Sequence, residues 1–391
     1  MRQKDLLASL NHLQNYVEHE HYKGYDPYDV LTSPIRFDLL GKWGPIIATQ
    51  IQKRNPFNIR PLLGIKKEHN PKGLGLLLHG YCILQTKFPE ENYLPQIKAL
   101  YQLLLEKKTK GFHGTCWGYN FGWASPVKYL PPFAPTVVAT GFIAKGLFAY
   151  YQLTKDDEIK KLLLSIAPFI LEDLPLTETE DGVCISYSPY MHDCCYNASL
   201  LAAETLAILY TLDPVEKYKE LAIKAVNFVV SYQHSDGHWG YSLHPKSGKE
   251  RTQTDFHQGY ILESINHVCK LLLINNDKIN NALKKGLLFY TTQQFDKNGR
   301  SLWRLPHKFP TEIHNQSQGI ITLCRMKNLD KNGLQFADQI ATWTIYNMQD
   351  RKYGYFYYRK NRLITNKISF MRWSNAWMFL ALSELIQPTE K

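Results

Sequence analysis

Residues 231–266, SYQHSDGHWGYSLHPKSGKERTQTDFHQGYILESIN, contain the unit from which the rest of the chain is built. An amphipathic helix is predicted to end at Tyr232, and the aromatic turn QHSDGHW follows at 233–239. A polar loop then carries Arg251, and Asp255 opens a second, more uniformly apolar helix. A helix that is apolar on all sides belongs in a core. The stretch therefore predicts a helical hairpin whose second helix is buried.

Pairs of helical segments of this kind recur along the chain. The predicted pairs are 36–53 with 74–88, 93–107 with 136–153, 155–174 with 197–212, 215–233 with 256–273, 277–294 with 315–326, and 332–349 with 373–386. Small residues near the starts of the second helices are separated by 61, 57, 61, 60 and 57 residues; they are Gly80, Gly141, Ala198, Gly259, Gly319 and Ala376. Near-equal intervals between paired helices are typical of a repeat architecture.

Six hairpins can close on themselves, with the apolar helices as an inner ring and the amphipathic helices outside. The sequence therefore predicts an all-α fold, an (α/α)6 toroid of six helical hairpins. No internal linker is visible, so we expect a single domain over residues 1–391. Within it, residues 1–35 are predicted to form an N-terminal helix and a polar lip.

The composition favours a globular protein with an anionic partner. Hydrophobic residues make up 44% of the 391 residues, which is enough for a large core. The formal net charge is +11, from 46 lysines and arginines against 35 carboxylates. The basic residues are scattered and form no nucleic-acid-binding motif, so we expect no nucleic acid partner. An acidic oligosaccharide or polysaccharide fits this charge better.

The seven cysteines are an odd number and include no CxxC pair, which indicates a reducing compartment rather than a disulfide framework. The spacing of zinc ligands is also missing, so we expect no metal and no other cofactor. Residues 1–20 have the pattern of a charged amphipathic helix rather than of a signal peptide. We therefore expect a cytoplasmic protein without membrane insertion.

The loops that enter the inner helices should line one mouth of the ring. Asp193 and Asp255 stand at equivalent places before adjacent inner helices, and His257 follows Asp255 closely. Two carboxylates on adjacent hairpins could act as the acid and the base or nucleophile of glycoside hydrolysis. A uronate lyase or sugar epimerase would instead need a base such as His257 or Tyr260 and a cation such as Arg251. Asp255 could also simply cap its helix.

Further residues are predicted to bind the substrate at the same mouth. Glycines alternate with aromatics in HGTCWGYNFGW at 113–123, which favours stacking on sugar rings, although such aromatics can also merely anchor a loop. The segment GYDPYD at 24–29 reads as a rigid polar lip. The predicted substrate-binding residues are Tyr25, Asp26, Asp29, Trp117, Tyr119, Trp123, Trp239, Arg251, His314 and Arg372.

The turn at 233–239 resembles the QxxDGxW turn of terpenoid-cyclase-type toroids. The segments Gln294…Gly299…Trp303 and Gln349…Gly354 look like degenerate copies of it. In that class the turn is structural, since the glutamine caps a helix end and the aromatic ring stacks on it. The resemblance implies the toroid fold. The acidic DxDD motif of squalene–hopene cyclases is absent, so their chemistry is not implied.

The segments GYDPYD at 24–29, CWGYNFGW at 116–123 and TDFHQGYIL at 254–262 are similar to those of uncharacterised bacterial proteins from exopolysaccharide and capsule gene clusters. Some of these are labelled delta-aminolevulinic acid dehydratase, an enzyme whose β/α barrel the helical pattern here contradicts. The resemblance implies glycan metabolism on a six-hairpin fold.

Taken together, these features predict a carbohydrate-active protein of bacterial polysaccharide metabolism. A glycoside hydrolase-like enzyme that uses paired carboxylates on an acidic glycan is the first hypothesis. A uronate lyase or sugar epimerase is the second. A non-catalytic glycan-binding or scaffold subunit that joins polysaccharide-machinery proteins is the third, and a terpenoid-cyclase-like enzyme is the fourth.

Overall fold

The structure is a computed structural model that describes residues 3–125 and 129–388. Thirteen α-helices occur within these residues: α1 (Gln3–His19), α2 (Trp43–Arg54), α3 (Pro71–Lys87), α4 (Leu94–Glu106), α5 (Val137–Thr154), α6 (Asp157–Leu164), α7 (Tyr196–Leu212), α8 (Glu216–Ser231), α9 (His257–Leu271), α10 (Asp277–Gln293), α11 (Ile313–Arg325), α12 (Gly333–Met348) and α13 (Trp377–Leu385). A π-helical segment, Met371–Ala376, runs directly into α13.

Six of these helices form a closed inner ring. Helix α3 contacts α5, α5 contacts α7, α7 contacts α9, α9 contacts α11, α11 contacts α13, and α13 returns to α3. The ring helices are buried on nearly every side, as in α7, where all of the first fourteen residues are buried. The predicted all-α (α/α)6 toroid is confirmed.

The first hairpin differs from the prediction. Segment 36–53 was expected to pack outside the first inner helix, but α2 contacts mainly β1 and two 3₁₀ turns, Asp29–Thr32 and Phe37–Leu40. Helix α1 takes a place in the outer layer instead and packs on α13. Its apolar stripe of Leu6, Leu10, Leu13 and Val17 is buried in the core. Helix α2 is thereby left at the mouth of the ring.

Short antiparallel strands occupy the loops. They are β1 (Trp123–Ala124), β2 (Tyr129–Leu130), β3 (Leu176–Thr179), β4 (Gly182–Ile185), β5 (Cys194–Cys195), β6 (Ser242–Leu243), β7 (Glu250–Arg251), β8 (Thr311–Glu312), β9 (Tyr357–Lys360) and β10 (Thr365–Ser369). They pair as β1–β2, β3–β4, β5–β6–β7 and β10–β9–β8. Strands β5 and β8 lead directly into α7 and α11, so these sheets hold loops at the N-terminal end of the ring.

A regular series of hydrogen bonds fastens these loops to the ring. In five repeats a loop backbone N–H donates to a polar side chain near the start of an inner helix, over 2.5 to 3.0 Å. The donors are Trp117, Ile185, Trp239, Ser301 and Phe356, and the acceptors are Thr140, Ser199, Gln258, Gln316 and Asn375. The acceptors are 59, 59, 58 and 59 residues apart. Their spacing along the sequence is more regular than that of the small residues near the starts of the inner helices.

The turn at 233–239 is structural, but its glutamine bonds the turn itself and the interior of α10 rather than the end of a helix. The Gln233 amide donates to the carbonyls of Gly237 and Ala282, over 2.9 Å in each case. Gly237 has φ +98°, and a Cβ there would lie 2.5 Å from the Lys285 carbonyl oxygen, so only glycine fits. Gln349 repeats the arrangement, because it donates to the carbonyls of Gly354 and Ser9.

Among the residues described, no helix is both long enough and apolar enough to cross a membrane. All seven cysteines are buried and free.

Candidate functional site

A cavity of about 570 Å³ opens at the N-terminal end of the inner ring. Each of the six inner segments contributes a residue from its first turn: Lys72, Val138, Asn197, His257, His314 and Arg372. Helix N-termini carry partial positive charge, so six of them directed to one cavity favour an anion.

The ionisable side chains that line the cavity are mostly cationic. Its lysines and arginines are Lys53, Arg54, Lys72, Arg251, Arg304, Arg359 and Arg372, and its carboxylates are Asp193, Asp255 and Glu312. Seven cations against three anions give a formal excess of four positive charges. Such a field concentrates anionic ligands in the cavity.

Asp255 is a buried carboxylate held by several donors. It accepts hydrogen bonds from Gln253 Nε2 at 2.6 Å and Arg304 Nε at 3.2 Å, and it contacts His257 Nδ1. Burial alone would raise the pKa of Asp255, but the charges of His257 and Arg304 and these hydrogen bonds outweigh it and hold the pKa below its usual value. Asp255 is therefore ionised at neutral pH.

The same carboxylate orients His257. His257 lines the cavity, and the bond between its Nδ1 and Asp255 fixes the orientation of the ring. The backbone N–H of His257 also donates to Asp255 over 3.2 Å. Asp255 thus accepts a hydrogen bond from an amide at the helix start and also orients an imidazole. Its capping role is therefore compatible with the predicted catalytic role.

His314 lies deeper in the cavity wall. Its ring stacks on Phe256 with centroids 4.1 Å apart, and its Nε2 is hydrogen-bonded to the Tyr260 hydroxyl. Burial, reinforced by the positive charges of Lys72 and Arg372, holds the pKa of His314 well below its usual value, so the ring is neutral. Its Nδ1 has no hydrogen-bond partner among residues 3–125 and 129–388. A buried polar atom without a partner is rare in folded proteins and calls for an explanation.

Arg372 is fixed by the loop at 24–29. Asp26 accepts from its Nε at 2.6 Å and from a terminal nitrogen at 2.8 Å. The guanidinium also lies 5.0 Å from the centre of the Tyr119 ring. Asp26 is buried and acts through Arg372, so it positions a binding residue rather than forming the cavity wall itself.

Other residues predicted to bind the substrate lie elsewhere. Asp29 is buried in an ion pair with Arg60, whose Nε is 2.8 Å away. Tyr25 lines a separate cavity of about 380 Å³. Trp117 and Trp239 are completely buried, and their indole N–H groups donate to backbone carbonyls over 2.8 Å. Both tryptophans were predicted to bind the substrate, but they anchor loops in the core and do not line the cavity.

The remaining predicted residues do meet at the cavity. Asp193, Tyr119, Trp123 and Arg251 all line it. Asp193 Oδ1 accepts from the backbone N–H of Tyr187 over 2.9 Å. Asp193 and Asp255 therefore share one cavity, although 62 residues separate them in sequence.

Lys72 was missed by the sequence reasoning. It is the second residue of α3, and its Nζ lies 4.4 Å from the centre of the Phe142 ring and 5.2 Å from that of Trp377. Burial and the neighbouring charge of Arg372 lower its pKa well below the usual value. The signal was present in the sequence: Asn70 is an N-cap and Pro71 follows it, which places the helix start before Lys72. Arg304, Arg359 and Trp303, also in the cavity wall, had no comparable signal.

No protein-family model and no curated protein matches the sequence. Solved structures match in fold. A possible member of the GH105 family from Klebsiella pneumoniae subsp. pneumoniae MGH 78578 is 12% identical with a TM-score of 0.67, over 99% of this chain and 94% of that one. An unsaturated glucuronyl hydrolase specific for heparin is 12% identical with a TM-score of 0.64, over 98% and 96%.

A cellobiose 2-epimerase from Bacillus thermoamylovorans B4167 is 14% identical with a TM-score of 0.62, over 81% of this chain and 88% of that one. At these identities the likeness concerns the architecture alone. It agrees with the ring of six inner helices and shows that this chain shares the (α/α)6 toroid fold with these three proteins.

Proposed function

We propose that this protein is an enzyme that acts on an anionic oligosaccharide and transfers protons through Asp255 and His257. The observation that carries the proposal is a buried carboxylate and an imidazole, hydrogen-bonded to each other, in the wall of a cavity lined by more basic than acidic side chains. A uronate-bearing glycan supplies both the negative charge and the ring dimensions that such a cavity accepts.

Hydrolysis of a glycosidic bond is the reaction that we place first. Asp255 is ionised and can activate a water molecule, directly or through His257, while Asp193 in the same cavity can protonate the departing oxygen. The cations around them neutralise the substrate carboxylate. Similarity in fold to an unsaturated glucuronyl hydrolase and a possible GH105 member supports this choice.

Sugar epimerisation is the second candidate, and the neutral His314–Tyr260 pair favours it. Epimerisation needs one group to remove a proton from carbon and another to return it. The imidazole of His257 and the buried His314 lie against the same cavity and offer two such groups. The cellobiose 2-epimerase is similar in fold. The three segments that resemble exopolysaccharide-cluster proteins support a place in bacterial polysaccharide metabolism for either reaction.

The deciding experiment incubates purified protein with matched uronate-bearing and neutral oligosaccharides, in water and in deuterium oxide, and analyses the products by mass spectrometry. Hydrolysis adds water and creates a reducing end, whereas epimerisation exchanges hydrogen for deuterium without cleavage. The Asp255→Asn variant should lower kcat/KM at least about 100-fold. Binding of the substrate, measured by calorimetry, should change far less.

Asp277→Asn, the same substitution at an exposed site on the outer helix α10, is the matched control and should keep full activity. The proposal fails if no oligosaccharide is changed, or if Asp255→Asn keeps the activity of the wild type. Retained binding without any turnover would favour the glycan-binding subunit instead.

A further inference from the structure

Helix α2 exposes an apolar stripe at the mouth of the ring. Trp43, Ile47 and Ile51 follow one another at four-residue spacing, so they share one face of the helix. Leu39 and Leu40 precede them and Phe57 follows, and all six side chains are between 52% and 77% exposed. The opposite face of α2 packs on the protein through Gly44, Ile46, Thr49 and Gln52.

This concentration of exposed apolar groups is unusual for the molecule. Of the 22 large hydrophobic residues that are exposed in the described part of the chain, eight lie between residues 35 and 62. Scattered exposed hydrophobics need no explanation, whereas a contiguous patch marks a surface that is covered in use.

The patch is accompanied by positive charge. Residues 35–62 contain five lysines and arginines and only one carboxylate. Arg36, Lys42 and Arg54 are exposed among these cations, and Arg36 is paired with Asp38. A helix with tryptophan and aliphatic residues on one face, and lysines and arginines beside them, matches the pattern of segments that lie in the interface of a membrane.

We propose that residues 35–62 dock this protein on the surface of an anionic lipid bilayer, with α2 lying in the headgroup region. A second copy of the chain explains the patch less well, because a two-fold contact through it would bring the two sets of cations together. An anionic bilayer accommodates both features, because the boundary with its acyl chains takes up the apolar stripe and its headgroups attract the flanking cations.

The docking face borders the cavity. Gln50, Lys53 and Arg54 of the same helix line the cavity. Gln50 and Arg54 lie three residues after Ile47 and Ile51, on the same face of the helix, so the apolar stripe runs along the edge of the cavity mouth. The hairpin of β9 and β10 stands beside it, since Asn366 Nδ2 donates to the Asn55 carbonyl over 3.1 Å. Its tip also exposes two apolar side chains, Leu363 and Ile364. Docking through this face holds the cavity mouth next to the membrane.

The test is flotation of the full chain with vesicles of phosphatidylglycerol and phosphatidylcholine, and with vesicles of phosphatidylcholine alone. We expect binding to the anionic vesicles that weakens as salt is added. The double variant Ile47→Asp with Ile51→Asp should bind at least about tenfold more weakly, because two exposed apolar groups no longer enter the interface. Leu39→Gln tests the patch outside the helix and should weaken binding in the same direction.

The matched control is the double variant Leu273→Asp with Leu288→Asp, which changes two exposed leucines far from α2 in sequence and should bind like the wild type. The proposal is overturned if the wild type does not float with anionic vesicles at low salt, or if the α2 variant floats equally well. It is also overturned if light scattering shows a dimer that the α2 variant abolishes. Circular dichroism establishes that each variant is folded. None of these readouts depends on the enzymatic activity.

Discussion

Lys72 is a buried amine whose surroundings oppose its charge. Burial and the charge of Arg372 disfavour the charged amine more than the nearby aromatic faces and Asp26 favour it. Lys72 forms no ion pair with a carboxylate among the residues that the structure describes. The folded-state pKa lies below the unfolded value, so the unfolded chain binds the proton more tightly and the amine costs stability at neutral pH. A residue that costs stability and faces a cavity is more readily explained by function than by folding.

The variant Lys72→Met should therefore be more stable and less active. We expect the free energy of unfolding at neutral pH to rise by about 1 kcal/mol or more, because a buried ionisable group is replaced by an apolar one of similar length. The affinity for an anionic oligosaccharide should fall. Chemical denaturation and calorimetry measure the two effects, and Lys278→Met on the surface of α10 is the control. A destabilised variant would show that Lys72 is a structural residue.

Some residues of the cavity could be predicted from the sequence, and others could not. Asp193, Asp255 and Arg372 were placed correctly at one cavity, because their distance from a helix start can be read from the chain. Trp117 and Trp239 were not, since an aromatic residue in a glycine-rich loop looks the same whether its ring faces solvent or the core. Only the packing of the neighbouring outer helices decides this, and it involves residues far away in sequence.

At the scale of elements, the loop anchors determine how each hairpin is built. Gln258 binds both backbone groups of Trp239: its Oε1 accepts from the N–H over 3.0 Å, and its Nε2 donates to the carbonyl over 2.5 Å. Its counterparts in the other repeats are Thr140, Ser199, Gln316 and Asn375. The side chains differ in type, so the series is invisible as a sequence motif even though its spacing is nearly constant.

Gln258→Leu should lower the free energy of unfolding by about 2–4 kcal/mol. The substitution keeps the volume but leaves a buried N–H and a buried carbonyl of Trp239 without partners, and each such group costs about 1–3 kcal/mol. Urea denaturation of wild type and variant measures the difference. Gln293→Leu, at an exposed site on α10, is the control and should have little effect. Equal stability of the two variants would mean that water replaces the anchor.

The exchange of roles between α1 and α2 has a related cause. Both segments have an amphipathic pattern, and α2 is the nearer neighbour of α3 in sequence, so pairing by adjacency selected the wrong one. The spacing of the inner helices along the sequence could be predicted, because each inner helix can be recognised from the residue types within its own segment. Which of the two helices packs in the outer layer depends instead on which apolar stripe is complementary to a groove on the folded ring.

At the scale of the whole molecule, polar contacts join all six inner helices at the end opposite the cavity. Glu204 of α7 binds Lys145 of α5 at 2.8 Å and His267 of α9 at 2.7 Å. Arg325 of α11 links Glu263 of α9 to Glu384 of α13, over 3.0 and 2.7 Å. Lys87 of α3 extends the series to the sixth helix, because it donates to the Ser383 carbonyl of α13 over 3.0 Å. Lys87 and Arg325 are the last residues of α3 and α11, where a positive charge interacts favourably with the helix dipole.

This network should make the stability of the toroid sensitive to acid. Burial alone would raise the pKa of Glu204, but Lys145 and His267 outweigh it, and the pKa lies well below its usual value of 4.5. The stabilisation is then fully present above the unfolded value and is lost as the pH falls from there through the folded value. Denaturant unfolding of the wild type at successively lower pH should show stability declining below about pH 4.5.

Glu204→Gln separates this effect from general acid denaturation. At neutral pH the variant should be less stable by about 3–5 kcal/mol, because Lys145 is left buried without its carboxylate. Its stability should then depend less on pH than that of the wild type, so the two curves approach each other as Glu204 becomes protonated. Glu158→Gln, which removes an exposed partner of Lys161, should leave the wild-type curve almost unchanged. Parallel curves for wild type and Glu204→Gln would assign the acid sensitivity to other carboxylates, since only a group that titrates can make the difference between two proteins change with pH.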